Sequence, residues 1–252
     1  MRRAPVTALA LGSLLLTASC VPNGPPTGAE TGTTGGPASG QPSPTTAPRL
    51  AGPSQDPLLT EVFEDRFERA EIGPSYRLAS AAWVLRDGRL CAENARNRGI
   101  WLSRRLPSNA RIELDAQSSS PEGDLKLEAW GDGLSGATHT SYTNATSYLF
   151  VLGGWKNTLH VLARLDEHGN DRKVVRVQRG SEDDRERPVS PDRTYHFRIE
   201  RSDGHTVTWW VNDVRLTSFD DASPLLGLGH DHVGFNDWDA PVCFDNLVVT
   251  PL

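Results

Sequence analysis

The side chains in this 252-residue chain best suited to recognition chemistry are its seven tryptophans, because a sugar presents a CH-rich face that stacks well on an indole. Trp83, Trp101 and Trp209 sit where strand cores are expected. Trp210 directly follows Trp209, so on a strand it faces the opposite side. Trp130, Trp155 and Trp238 stand at strand ends beside Gly, Asp, Asn or Lys, positions that suit the rim of a site. Two short segments, Gly153-Gly154-Trp155-Lys156-Asn157 and Gly234-Phe235-Asn236-Asp237-Trp238, combine close-approach glycines with amide, charge and indole. That mixture suits a glycan site, and the candidate ligand-binding residues are Trp130, Trp155, Lys156, Asn157, Trp210, Asn236, Asp237 and Trp238. Metal chemistry has a weaker basis. Gly229-His230-Asp231-His232 clusters imidazole and carboxylate, but zinc needs a third fixed ligand, such as His205 or Asp237, and nothing in the sequence locates either one nearby. Calcium could be ligated by the oxygen-rich Ser181-Glu182-Asp183-Asp184, which lacks a defined coordination pattern. A carboxylate pair such as Glu128 with Asp132 has no recognised spacing behind it. No catalytic residue, metal site or cofactor is assigned.

Of the three cysteines, Cys20 follows an apolar run over residues 8–18 that is too short to be a permanent membrane span, itself preceded by the positive Met1-Arg2-Arg3. The approach Leu16-Thr17-Ala18-Ser19 to Cys20 resembles a bacterial lipobox, with the departure that Thr stands three residues before the cysteine, where Leu is usual. The resemblance implies a signal peptide over 1–19 and a diacylglycerol on Cys20. Val21, in place of an inner-membrane-retaining Asp, implies a lipid-anchored protein of the outer membrane, its domain in the periplasm or at the cell surface. From 20 to 57 the chain is dominated by Pro, Gly, Thr, Ser and Ala, too poor in large apolar groups to offset its ordering entropy. This linker would span about 33 Å as a Gly-rich coil and about 110 Å if extended. The cell envelope is oxidising enough to join the other two cysteines, Cys91 and Cys243. Sequence leaves that bridge open, since it does not show whether their Cα atoms approach.

Residues 58–252 are long enough for one sizeable core. They carry 23 basic against 30 acidic side chains, a balance that argues against a nucleic-acid partner, which would draw on clustered Lys and Arg. Period-two alternation over 111–116 and 124–130 predicts half-buried antiparallel strands with one face in water. Further strands are expected over 83–93 with a turn at Asp87-Gly88, and over 99–106, 147–155, 159–165, 173–178, 194–201, 206–216, 232–238 and 242–250. Glu167-His168-Gly169-Asn170 and Ser202-Asp203-Gly204 are the clearest hairpin connections. The segment 58–67 fits either a strand or a helix face. About twelve short strands without a sustained helix predict an all-β, antiparallel sandwich.

The segments Phe63-Glu64-Asp65-Arg66-Phe67, Trp83 to Leu90, Gly234-Phe235 and Val242 to Val249 resemble a concanavalin A-like lectin/glucanase jelly roll, closest to its laminin-G-like and 3-keto-disaccharide hydrolase-like branches. The resemblance implies that the final Phe244-Asp245-Asn246 strand pairs near the first. A retaining glucanase of that superfamily would carry two glutamates flanking an aspartate on one strand. Glu113-Leu114-Asp115-Ala116 offers the first half, whereas Gln117 or Ser118 stands where the second glutamate is needed. Solvated acids on an amphipathic strand account for Glu113 and Asp115. The reading favoured is an envelope-anchored, non-catalytic carbohydrate-binding module. The alternatives are a glycoside hydrolase or lyase of the same fold, or a structural or protein-interaction module of the envelope.

Overall fold

Alternating apolar residues form strands when one face can be buried against a second sheet, and this decides most of the chain. The computed structural model describes residues 52–252. The signal 1–19, Cys20 and the linker up to residue 51 lie outside the described residues. In chain order the strands are β1 (Phe63–Asp65), β2 (Tyr76–Leu78), β3 (Val84–Arg86), β4 (Arg89–Ala92), β5 (Ile100–Leu102), β6 (Ala110–Ser118), β7 (Leu125–Gly131) and β8 (Tyr148–Gly153), followed by β9 (Leu159–Arg164), β10 (Lys173–Arg176), β11 (Thr194–Arg201), β12 (Thr206–Val211), β13 (Val214–Asp220), β14 (His232–Asn236) and β15 (Val242–Pro251).

They form two antiparallel sheets. One has the order β13-β12-β11-β6-β15-β4-β3 with β1 also on β15; the other has the order β10-β9-β8-β7-β14-β5-β2. The ten-residue β15 closes the first sheet, setting Val242–Phe244 against β4 and Leu247–Val249 against β1, so the last strand does meet the first. Between the sheets lies the main core, in which Trp209 contacts Phe150 and Phe197 edge-on at 5.7 and 5.4 Å and Phe235 packs on Phe244 at 5.0 Å. Cys91 and Cys243 stand directly opposite in β4 and β15, with Cα atoms 4.1 Å apart, and are joined as a disulfide.

The alternation in β6 is as expected: Ala110, Ile112, Leu114 and Ala116 enter the core while Arg111, Glu113, Asp115 and Gln117 face outward. Glu113 and Asp115 there flank the half-exposed His196 at 3.8 and 3.0 Å. Asp87 and Gly88 both have positive φ, 51° and 68°, which is the turn conformation that matches strand twist in a two-residue hairpin. The region 206–216 is two strands rather than one, because Asn212 and Asp213 make the same kind of turn with φ of 49° and 65°.

Two expectations need correction. The linker does not run to residue 57, since Asp56 is buried in the fold, receives both Arg77 guanidinium nitrogens at 2.5 Å and lies 3.1 Å from His232. Nor does β7 put its polar face in water. Leu125, Leu127 and Ala129 enter the main core, but Lys126 and Glu128 on the other face are only 2% and 1% exposed. The connection after β7 folds back over that face and packs Tyr142 and Ala145 on Leu149, Val151, Val161 and Ala163. The second sheet is therefore covered on both sides, and its strands carry buried charges that must find partners.

Candidate functional site

The covered face of the second sheet opens at one end into a cleft of about 540 Å³. Its walls come from the connections that follow β4, β6, β7, β8, β9 and β14, and include Asn97, Glu122, Asp124, Ser141, Trp155, Lys156, Glu167, Trp238 and Asp239, with Lys126 of β7 on the floor.

Trp155 and Lys156 reach the cleft through an unusual turn. Trp155, Lys156 and Asn157 all have left-handed φ, at 51°, 59° and 59°, one residue beyond the left-handed Gly153 at 73°. Consecutive left-handed L-residues cost roughly 1–2 kcal/mol each, so the turn needs outside support. Asn157 supplies it: Nδ2 donates to the Pro121 and Val189 carbonyls at 3.0 and 2.7 Å, and Oδ1 accepts from the Val189 amide at 2.9 Å. Thr158 adds a hydroxyl bond to the Trp155 carbonyl at 2.8 Å. The Gly153 backbone has no room for a Cβ, which would lie 2.6 Å from Val189 Cγ2. Asn157 thus holds Trp155 in place and is buried behind the site. Strain of this kind, supported from outside, is a mark of functional turns.

The two indoles are also braced. Arg172 stacks on Trp155 at 5.1 Å and His168 meets it edge-on at 5.5 Å, while Arg96 stacks on Trp238 at 4.7 Å. Each cation on a ring face limits the ring's rotation. Trp238 is itself located by the backbone, with the Arg96 amide donating to its carbonyl at 2.9 Å and the Asn97 amide donating to that of Asp237 at 2.7 Å.

Each carboxylate of the cleft has a cationic partner, with Lys126 serving two of them. Lys126 Nζ lies 2.7 Å from Glu167, 2.8 Å from Asn97 Oδ1 and 3.7 Å from Asp124. Burial acts to lower the Lys126 pKa, but the Asp124 and Glu167 carboxylates outweigh it and hold the ammonium above its ordinary value. Burial raises Asp124 despite Lys126. Toward the mouth Lys156 stands 3.5 Å from Glu122, and Arg96 2.9 Å from Asp239.

Glu128 lies further in, beneath the connection. It accepts from both Tyr142 and Ser147 hydroxyls, at 3.0 and 2.5 Å, and from Asn236 Nδ2. Burial pushes it up to about 7 against those three donors. Asp237 is likewise raised by burial to about 7, partly offset by the Ala95 amide at 2.8 Å, and its Oδ1 finds no hydrogen-bond partner among the described residues.

The eight candidate residues therefore divide. Trp155, Lys156 and Trp238 line the cleft. Asn157, Asn236 and Asp237 are buried behind it and serve its framework. Trp130 is fully buried in the main core, edge-on to Tyr148 with the buried Arg201 guanidinium at 4.1 Å, because its left-handed φ of 54° turns it inward at a bulge in β7. Trp210 lies on the outer face of the other sheet under Arg198 at 4.3 Å. The histidines do not converge: His230 bonds the Thr146 carbonyl, His232 lies between Asp56 and Asp231, and His205 between Asp203 and Asp220. Among the described residues no group of His, Cys, Asp and Glu is arranged to hold a metal. In the acidic loop Asp183 and Asp184 pair with Arg185 and Arg187. Asp132 caps the Leu134 and Ser135 amides and does not pair with Glu128. Asn97, Asp124, Lys126 and Glu167 were not among the candidates; the one signal for them was a lysine and an aspartate at the head of a strand that alternates polar with apolar residues.

No protein-family model and no curated protein matches the chain. Solved structures do. The chain is similar to the carbohydrate-binding module CBM66 from Bacillus subtilis, at 17% identity and a TM-score of 0.50 over 70% of this chain and 95% of that one. It is similar to a structure reported for endo-acting O-glycanases of the human gut microbiota, at 11% and 0.51 over 75% and 98%, and to the Crh5 transglycosylase in complex with NAG, at 9% and 0.53 over 78% and 86%. At these identities the likeness concerns the fold, an antiparallel jelly-roll β-sandwich.

Proposed function

We propose that this chain is a lipid-anchored, non-catalytic carbohydrate-binding module whose glycan lies in the cleft between Trp155 and Trp238. The observation that carries the reading is the placement of two braced indoles around a cleft whose walls offer Asn97, Asp124 and Glu167 oxygens to sugar hydroxyls. Apolar stacking with a few fixed polar groups is how concave sites recognise small ligands. The similar sandwiches include a carbohydrate-binding module, O-glycanases and a transglycosylase holding NAG, which supports a carbohydrate ligand.

The ion pairs favour binding over hydrolysis. Glycoside cleavage requires one carboxyl to donate a proton and a second to act as base or nucleophile. Here Glu122, Asp124, Glu167 and Asp239, the carboxylates of the cleft, each have a cationic partner. On a glycan array followed by calorimetry, Trp155→Ala and Trp238→Ala are each expected to weaken binding by at least ~10-fold. Absence of binding to any glycan would sink the proposal, and release of shortened products from a polysaccharide panel would replace it with an enzymatic one.

The anchor belongs to the same reading. Signal 1–19 exports the chain, the lipid on Cys20 anchors it in the outer membrane, and the linker lets a weak binder act at high local concentration near a surface. Labelling with a lipid precursor is expected to mark the wild type and leave Cys20→Ala unmarked. Equal labelling of the two would remove the anchor from the account.

A further inference from the structure

A second cavity, of about 510 Å³, adjoins the cleft and shares Trp238 and Thr140 with it. Its other walls are Arg96, Arg98, Ala137, Thr138 and His139, with no carboxylate among them. The two cavities meeting at Trp238 thus differ in charge, the first setting Glu122, Asp124, Glu167 and Asp239 against Lys126, Lys156 and His168, and the second lined by two arginines and a histidine.

The basic cavity is built rather than incidental. The Ala95 amide donates to Asp237 Oδ2 at 2.8 Å, and the Ala137 amide donates to the Asn97 carbonyl at 2.8 Å, so both walls are tied to one frame. Arg98 shows a division of labour. Its amide donates to the Ala95 carbonyl at 3.1 Å and its carbonyl accepts from Trp83 Nε1 at 2.9 Å, which fixes the backbone. Its side chain is exposed and makes no ion pair with any described residue. Arg96 is different, being held by Asp239 and by the Trp238 ring. Overall net charge of −6 gives the chain no general attraction for polyanions, so any preference for negative charge must arise locally.

We propose that the glycan is anionic, its ring against Trp238 in the first cavity and the carboxylate or sulfate of an adjoining residue in the second, received by Arg98 with Arg96 and His139 beside it. This rests on the carbohydrate-binding reading and names its substrate class. A guanidinium suits either group, because its planar donors match two oxygens of a carboxylate or sulfate.

The test compares matched polymers on the full chain: polygalacturonate against its carboxyl-reduced form, and dextran sulfate against dextran. The charged member of one pair is expected to bind at least ~10-fold more tightly, with an advantage that shrinks as salt is raised. Which pair responds distinguishes uronate from sulfate. Arg98→Gln, an exposed change that leaves the backbone bonds in place, is expected to remove the advantage and retain binding of the neutral member. Equal binding within both pairs, or an advantage unchanged in Arg98→Gln, overturns the anionic assignment; if binding still falls in Trp155→Ala, the carbohydrate reading survives. Failure of every polymer to bind overturns the assignment, and with a blank glycan array it overturns the broader reading too.

Discussion

A Lys126→Met variant is expected to lose about 3–5 kcal/mol of stability, the usual cost of removing one member of a buried ion pair. Methionine keeps most of the side-chain volume and removes the ammonium. Glu167 and Asp124 would then face one another with no counter-charge, and Asn97 Oδ1 would lose its donor at 2.8 Å. Urea denaturation should show the midpoint falling at an unchanged slope, since the surface exposed on unfolding is the same. Adding Asp124→Asn and Glu167→Gln to Lys126→Met should recover much of the loss, because the penalty arises from stranded charges rather than from a missing contact. A loss under about 1 kcal/mol in the single variant would place Lys126 in the class of exposed ion pairs and contradict the description of the cleft floor.

The second large effect is expected at the disulfide. Cys91 and Cys243 are 152 residues apart in sequence, so their bond restricts the unfolded chain over most of the domain. Cys91→Ala with Cys243→Ala is expected to cost about 2–5 kcal/mol. The fold should survive, because β4 remains paired with β15 through Val242, Phe244 and their partners, and β6 holds the other edge of β15. Reduced wild type and the double variant should therefore melt together, both below the oxidised protein. Coincident melting of oxidised and reduced wild type would show that the bond does not constrain the unfolded state.

How much of this was legible depended on the range of the interaction that decides each feature. Local chemistry sufficed for β6, whose alternation named its core face residue by residue, and for the turn at Asp87-Gly88. Asn212-Asp213 carried a similar turn signal within an apparently continuous run, and continuity masked it. The polar face of β7 was a different matter. Lys126 and Glu128 alternate just as solvated residues do, and only connections remote in sequence, which bring Asn97 and Glu167 to Lys126 and Tyr142 to Glu128, put them out of water.

Site residues show the same divide. Trp155 and Trp238 stood out because glycine, amide and charge surround them. Asn157 and Asn236 shared those neighbourhoods yet turned inward, each satisfying buried partners that lie far away in sequence, Val189 for one and Glu128 for the other. Trp130 looked like a strand-end residue, and a bulge rotated it into the core. Asn97, Asp124 and Glu167 come from three separate connections, and their convergence on Lys126 depends on the sheet order rather than on any motif.

The placement of the glycan is tested most directly by a crystal structure of the domain with an oligosaccharide chosen from the array. Sugar rings are expected between Trp155 and Trp238, with hydroxyls on Asp124 and Glu167. Rings seated instead on Trp210, across the outer face of the other sheet, would contradict that placement.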